Sequence, residues 1–559
     1  MKAAWLHKMA MLFSAALTLA SVPVPAKTFY IDPQIGNIRN DGSAANPWKT
    51  LQEVIDSNKI NTREAAAYPY VEGQPLKEKN ADAPVRAGDT ILLRSGYHGI
   101  ITISRMFNSG WITIAAENVQ KPLADHILLQ GASKWRIKGL TVSPEFAQST
   151  QKITLINVQS HDWSGPVREI EIEDCLAYSA LNVDAWDTTT WNARSCNGIQ
   201  VSGRQVVIRN NTVKNVYMGI SVSDDSVLVE GNTVDRFDGD GLCGVANDLT
   251  FRNNLVKNSI VAYSANHDDG FQSWSVGDSG VGTGTVYRVK LIGNTIIDYT
   301  DPNLPLKGTM QGIGCFDGMF EDWDVINNVV VTDHWHGITL SGARNCRIIN
   351  NTVCDINTVS PGPPWIRIGK HKDGTLSENC VVRNNLTTDL SIDSGTAIIT
   401  DHNIILKNTD DFFVDYNRFD LRLKAGCAAI DSGSPMLAPA TDILGTTRPQ
   451  GSAADVGAYE YFAGQGVRQA GSTIPECAAK FDITLVRRNH SISIQIVSKS
   501  PDRLIHISLF EMSGKMMQDF GGRTGRVITC NVTRPVSGVK LLRVLSDAGS
   551  FSKTIVMRW

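Results

Sequence analysis

Arg209-Asn-Asn-Thr-Val213, RNNTV, is a short string that the chain repeats. It returns as EGNTV at 230–234, RNNLV at 252–256, IGNTI at 292–296, INNVV at 326–330, INNTV at 349–353 and RNNLT at 383–387. The third residue is Asn every time: Asn211, Asn232, Asn254, Asn294, Asn328, Asn351 and Asn385. Successive spacings of 21, 22, 40, 34, 23 and 34 residues read as a basic period of about 22, with loops inserted in particular turns. Short β-branched strands at that period, with one Asn per turn, predict an all-β chain wound as a right-handed parallel β-helix. Coils then stack at strand spacing, and each Asn hydrogen-bonds its copies above and below. These asparagines are therefore read as scaffold and not as active-site groups.

A second string precedes each Asn: NGIQV at 197–201, MGISV at 218–222, DGLCG at 240–244, DGFQS at 269–273, QGIGC at 311–315 and HGITL at 336–340. Strand alternation sends Ile199, Ile220, Leu242, Phe271, Ile313 and Ile338 inward, and Gln200, Ser221, Cys243, Gln272, Gly314 and Thr339 outward. The residues before each glycine form one column: Asn197, Met218, Asp240, Asp269, Gln311 and His336. Adjacent coils lie about 4.8 Å apart, so Asp240 comes close to Asp268 and Asp269 and three carboxyls are expected on one face. Unpaired acids that close raise one another's pKa unless a cation neutralises them. Two long insertions, VGDSGVGTGTVYR at 276–288 and TDPNLPLKGTMQ at 300–311, lie beside these residues, where repeat scaffolds commonly carry their function.

The chain opens like an export signal, with Lys2 and Lys8, an apolar run over 9–22 and a small-residue cleavage site at Val24-Pro-Ala26, so 1–26 is expected to be removed. From 27 a short strand leads to a helix expected from Trp48, capping the first coil, which is read at 86–99. The β-helix is expected to run over 27–461 and to be closed by the Gly- and Pro-rich segment 428–461. After a linker at 462–475, alternation resumes in ISIQIV, IHISLF, GVKLLRV and KTIVMRW, which predicts a separate small β-sandwich over 476–559. A net charge of −3 gives no reason to expect nucleic acid as a partner. Ten scattered cysteines, with no CxxC pair, argue against a structural zinc site. Cys346 and Cys380 each stand five residues before their coil's Asn, so they are expected to be column neighbours at a spacing compatible with a disulfide.

The segments 27–52 and 87–99 resemble the opening of secreted polysaccharide lyases with the pectin lyase-like solenoid. Asp240-Gly, followed one coil later by Asp268-Asp-Gly270, is similar to the calcium-dependent pectate lyases of polysaccharide lyase family 9. This resemblance implies a calcium ion held by Asp240, Asp268 and Asp269, with Gln272 in place of a further family Asp. Gln272 keeps a carbonyl oxygen that calcium accepts but brings one charge fewer. The resemblance also implies a lysine base, and here the chain departs, because that position is Gly314.

The implied substrate is an acidic, uronate-containing polysaccharide, cleaved by β-elimination after a base takes the C5 proton. Lys307, His336 and Arg367 are the candidate catalytic groups, and Lys307 is equally an ordinary loop lysine. Lys370, with Arg367, suits substrate carboxylates or pairs with local acids, and Trp274 and Trp365 stack on sugar rings or cover coil ends. A second reading is an inverting glycoside hydrolase similar to polygalacturonases, whose motif order is matched by Asp240, Asp268-Asp269, His336-Gly337 and Arg367-Ile-Gly-Lys370. Against it, the coil of Gln311 intervenes between the Asp pair and His336. A third reading is a non-catalytic glycan-binding adhesin. The C-terminal module resembles type IX secretion sorting domains through ISLFEMSGKMM and GVKLLRVLSDAGSFSKTIVM, with Lys540 in place of the usual aromatic. That resemblance implies a bacterial protein, secreted or at the cell surface, with the secretion machinery as a partner; the enzyme itself is expected to be monomeric.

Overall fold

The computed structural model describes residues 25–462 except 119, 148–150, 263–266 and 394, together with the backbone of seven strands between 481 and 557. The export signal, but for Pro25 and Ala26, and the linker, but for Phe462, lie outside the described residues. The chain divides into two units, 1–414 with 421–461, and 415–420 with 462–559.

The first unit is a right-handed parallel β-helix in which 34 strands hydrogen-bond into one continuous system, each strand pairing with its counterpart a coil away. One column runs in register from Ile199 through Ile220, Leu242, Phe271, Ile313 and Ile338 to Ile366. A second runs from Val213 through Val234, Val256, Ile296 and Val330 to Val353. All of these side chains are buried and belong to one core cluster. Burial of apolar area along the stack supplies the driving force, each coil completing the core of the one before.

The glycine of each DG-type string is required by this packing. A Cβ on Gly241 would stand 2.3 Å from Val256 Cγ1, and one on Gly312 would stand 2.4 Å from Val330 Cγ1. The strand enters against the facing aliphatic column with no room for a side chain.

The Asn ladder is continuous. Asn211 Nδ2 donates to Asn232 Oδ1 at 3.0 Å, and the same contact links each later member to the next, ending on Asn403, which closes the ladder one coil beyond the repeat read from sequence. Each amide is saturated: Asn328 donates to Leu291 O (2.8 Å) and Asn351 Oδ1 (3.0 Å), and accepts from the backbone and side chain of Asn294 (2.9 and 3.0 Å). The residue before each ladder Asn is left-handed, with φ of 55° at Asn210, 66° at Gly231 and 54° at Asn350. Gly and Asn are the residues that tolerate that backbone, which explains the NN and GN dipeptides of the repeat.

The ends differ from expectation. Thr28–Ile31 pairs in parallel with Thr90–Leu93, so the first coil starts one strand earlier than 86–99. The helix is Leu51–Asp56, capped by Thr50, whose hydroxyl accepts from the N–H of Glu53. Trp48 precedes it, fully buried and stacked on Phe29. The 428–461 segment does not close the last coil but lies along the flank of three coils. There Asn384, Asn350 and Asn327, the left-handed turn residues, donate to Ser434 O, Asp455 O and Thr441 O.

Cys346 and Cys380 are column neighbours, as Arg347 pairs with Val381, but both are free buried thiols and not a disulfide. The two thiols lie within hydrogen-bond reach of each other, as the expected spacing requires, without an S–S bond. The second unit contains a three-stranded antiparallel sheet, with Ser491–Ser498 between Phe481–Arg488 and Val527–Val532. It also holds a four-stranded antiparallel one, Met516–Arg523, Ile505–Glu511, Gly538–Ser546 and Gly549–Met557 in that order. The Ser-Gly turn at 513–514 lies outside the described residues. Among the described residues no helix is long and apolar enough to cross a membrane.

Candidate active site

The column read from sequence is real. Asp240 pairs with Asp269 and Asp269 with Gln311, the pairing of Ile313 with Ile338 sets Gln311 against His336, and His336 pairs with Trp365. The gathering of three carboxyls on one face is not. Asp268 and Asp269 diverge: Asp268 Oδ2 lies on the side of Gly308, next to Ser259, while Asp269 Oδ1 lies against Gly314. A Cβ on Gly314 would stand 2.2 Å from that oxygen, so Asp269 fills the space the family lysine would need.

All three acids are buried, at 4 % exposure for Asp240, 3 % for Asp268 and 0 % for Asp269. Burial, then the charge of Asp269, raises Asp240 well above the usual carboxylate range. Burial, then Asp238, Asp240, Asp269 and Asp298, pushes Asp268 up to about 9. Asp269 rises only to about 6, because His267 and Gln272 oppose the burial. His267 Nδ1 lies 2.7 Å from Asp269 Oδ2, and Gln272 Nε2 donates to the same oxygen at 3.1 Å.

Sequence reasoning missed the acids behind Asp268. Asp298 accepts from Ser259 Oγ at 2.8 Å and from Met310 N at 3.3 Å, and burial followed by the proximity of Asp333 raises its pKa well above the usual range. Asp238 accepts from Ala262 N, and Asp333 from Asn357 Nδ2. Asp298 and Asp333 follow the inner strands instead of preceding a glycine, and Asp238 precedes Gly239 two residues ahead of the column position Asp240, so the column rule passes over them. His267 was also missed, although it adjoins the Asp pair directly.

The calcium set fares poorly on geometry. Oxygen atoms suited to calcium are present and without hydrogen bonds at Asp268 Oδ2, Asp269 Oδ1 and Gln311 Oε1. Yet Asp268 and Asp269 face apart, and Asp269 gives its other oxygen to His267 and Gln272. Among the described residues no three His, Cys, Asp or Glu side chains form a group able to hold a metal. Asp240, Asp268, Asp269 and Gln272 therefore do not fit one ion in this arrangement.

The candidate bases are held elsewhere. Lys307 is exposed and its ammonium lies over the Tyr299 ring, 4.2 Å from the centroid. His336 Nδ1 accepts from Trp365 Nε1 at 3.3 Å and contacts Thr339 Oγ1 at 3.0 Å. The same indole N–H reaches Thr339 Oγ1 at 3.2 Å, so one proton is shared between that hydroxyl and Nδ1. Burial, then His334 and Arg367, lowers the pKa of His336 to about 4. His336 is thus a neutral, half-buried ring enclosed by Phe316, His334 and Trp365. Arg367 binds Ser391 Oγ and, through NH2, both oxygens of Asp393 at 2.8 and 2.9 Å, with its guanidinium over Trp365. Lys370 is exposed. Trp274, half-buried, pairs in register with Asp317, which is ion-paired to Lys372.

Two walls flank this face. Val183, Trp191 and Ile260, with Trp186, Leu304 and Leu306, form a satellite apolar cluster that ties together loops from several coils. Opposite them in sequence, the hairpin of Val276–Gly277 and Gly280–Val281 is fixed by His371 Nε2, which donates to Gly282 O at 3.0 Å.

A family model for the right-handed beta helix region matches residues 197–362. No curated protein sequence matches the chain. Among solved structures, GH136 lacto-N-biosidase from Eubacterium ramulus is similar at 12 % identity over 68 % of this chain and 67 % of that one, with a TM-score of 0.28. A double mutant of the tailspike protein of E. coli bacteriophage HK620 is similar at 10 % identity over 84 % and 80 %, with a TM-score of 0.26. The tailspike protein gp49 of Acinetobacter baumannii bacteriophage Fri1, a capsular polysaccharide depolymerase, is similar at 10 % identity over 84 % and 73 %, with a TM-score of 0.23.

Proposed function

We propose that this chain is an extracellular bacterial enzyme, active as a monomer, that cleaves a uronate-containing polysaccharide by β-elimination on the outward face of Asp268–Trp274, Met310–Asp317 and His336–Ser341. The observation that carries this reading is the layering of charge by depth. The carboxyls of Asp240, Asp268 and Asp269 lie behind the surface, whereas His267, Lys370 and Lys372 are exposed and Arg367, Trp274 and Trp365 are half-buried beside them. Lys372 and Arg367 are held by Asp317 and Asp393, partners that a uronate carboxylate can replace, and the rings cover apolar sugar faces. Offsetting a uronate carboxylate makes the neighbouring C5 proton acidic enough for a side-chain base.

Hydrolysis by paired carboxyls, the second reading, needs two carboxyl groups that reach the glycosidic bond, and the burial of Asp240, Asp268 and Asp269 favours the first reading. The C-terminal module is proposed to serve secretion or surface attachment, on its resemblance alone.

The test is ultraviolet absorbance during incubation with pectate, alginate, glucuronan and glycosaminoglycans, with and without chelator. Growth of the conjugated double-bond signal supports the lyase; an unchanged rate with chelator agrees with the split Asp pair, and arrest by chelator restores calcium. New reducing ends without that signal establish the hydrolase. Silence in both assays across the panel, with glycan retained in a binding assay, supports the adhesin.

A further inference from the structure

We infer that His267 is the base of this reaction and that Asp269 is the residue that positions it. The inference rests on the lyase reading and adds a catalytic group that neither the column nor the family motif supplies.

The geometry separates His267 from the other histidines of the face. Its Nδ1 lies 2.7 Å from Asp269 Oδ2, an acceptor of zero exposure, with Gln272 Nε2 3.4 Å from the same nitrogen, so in the neutral imidazole Nδ1 carries the proton for Asp269 and Nε2 keeps its lone pair. Its side chain is 56 % exposed, so that lone pair is open to a sugar lying on the face. His336 differs, for its Nδ1 is closed in by Trp365 Nε1 and Thr339 Oγ1 and its ring is half-buried. His267 presents an exposed ring nitrogen to the face where His336 is enclosed. A buried carboxylate behind an exposed imidazole fixes both tautomer and ring orientation, as in the histidine–aspartate half of hydrolytic triads.

The surroundings agree. Gln272 Nε2 holds the same Asp269 oxygen from the outward side, which keeps the carboxylate from rotating. Asp269 Oδ1 has no partner among the described residues, so the acid is committed to His267 through its other oxygen. The charges that act on His267 are Asp269, Asp317 and Lys372, and it acts in turn on His334 and His336. Lys372 is 64 % exposed and ion-paired with Asp317, which sets a cation beside the imidazole for the substrate carboxylate. In the step itself, Nε2 takes the C5 proton and the C5–H electron pair becomes the C4=C5 double bond. The C4–O4 bond breaks, the leaving oxygen takes a proton from water, and the imidazolium returns its proton to the hydroxide so formed.

The experiment uses the full chain with the glycan that gives the double-bond signal. His267→Gln is expected to lower kcat by about 10²–10⁴-fold with KM changed less than about threefold; a kcat within about threefold of wild type, with the lyase signal intact, overturns the assignment and leaves the lyase reading standing. Asp269→Asn is read by 15N NMR of the imidazole, with His267→Gln identifying the resonance. Wild type is expected to show a protonated Nδ1 and a bare Nε2, and Asp269→Asn a mixture of tautomers; an unchanged spectrum overturns the positioning role whatever the activity. If wild type cleaves no glycan, the lyase reading and the base fall together, and the spectrum still decides whether Asp269 holds His267.

Discussion

Asp268 and Asp269 are adjacent in sequence and serve two different surroundings: Oδ2 of Asp268 lies 3.2 Å from where a Cβ on Gly308 would be, and Oδ1 of Asp269 lies 2.2 Å from where one on Gly314 would be. Two like charges sit side by side in the chain because they do not sit side by side in space. Asp269 is tied to an exposed imidazole, whereas Asp268 faces inward to Asp238 and Asp298, where it keeps its proton.

That proton sets a pH dependence. Asp268 titrates near 3.8 when unfolded and near 9 when folded, so between those values the folded chain holds a proton that the unfolded chain has lost. Stability from this group therefore falls as pH rises from about 4 to about 9. Asp268→Asn removes the titration, so its Tm is expected to exceed that of wild type at pH 8 and to converge on it near pH 4. Thermal melts across that range check this, and a Tm difference independent of pH would contradict it.

His336 works in the opposite sense. Its folded pKa of about 4 lies below the ordinary 6.5, so the unfolded chain gains a proton first as pH falls. The stability from its neutral form is whole above 6.5 and is lost as pH drops through that value toward 4. Trp365→Phe removes the N–H that reaches Nδ1 and is expected to raise the His336 midpoint in an NMR titration. A midpoint that stays put would mean that burial, His334 and Arg367 set it without the indole.

The Asn ladder predicts a position-dependent cost. Asn328→Ala takes away the partner of Leu291 O and of the backbone and side-chain N–H groups of Asn294 that reached Asn328, while Asn351 Oδ1 keeps the backbone N–H of residue 328. At about 1–3 kcal/mol for each group left unsatisfied, reduced where local shifts re-pair them, a loss of roughly 3–5 kcal/mol is expected. Asn403→Ala, at the half-exposed end, is expected to cost less than half of that. Urea unfolding of the two variants makes the comparison, with equal losses counting against a saturated ladder.

Much of this was legible in the sequence because a stacked fold converts periodicity into coordinates. Asn211 to Asn385, the inward column and the set of residues preceding each glycine all came from spacing. What spacing cannot supply is side-chain direction at the irregular strand start, where Asp268 and Asp269 part, or the enclosure of the His336 ring, which depends on a tryptophan one coil away. The free thiols of Cys346 and Cys380 teach the same lesson, for spacing brings two sulfurs into contact without bonding them. His267 was overlooked because a motif drew attention to the acids beside it, while its own role follows only from a 2.7 Å contact.

The flank segment offers the last test. Arg448 and Glu460 form an ion pair at 2.9 Å with side-chain exposures of 1 % and 0 %, and Arg448 also donates to Asp455 O and Gly457 O. Gly457 and Asp455 in turn accept from Asn350, so Arg448 organises the loop against the ladder turns. A buried pair of this kind costs about 3–5 kcal/mol to break from one side, since the Glu460 charge loses its cation and keeps the N–H groups of Gln450 and Asp455. Arg448→Met is therefore expected to destabilise by that order and to open 428–461 to proteolysis before the coils themselves unfold. Arg448→Met combined with Glu460→Leu is expected to recover part of the loss, because no orphaned carboxylate remains. Proteolytic nicking that begins in the coils, or a double variant no better than the single one, would show that the segment is held by its backbone contacts and not by the pair.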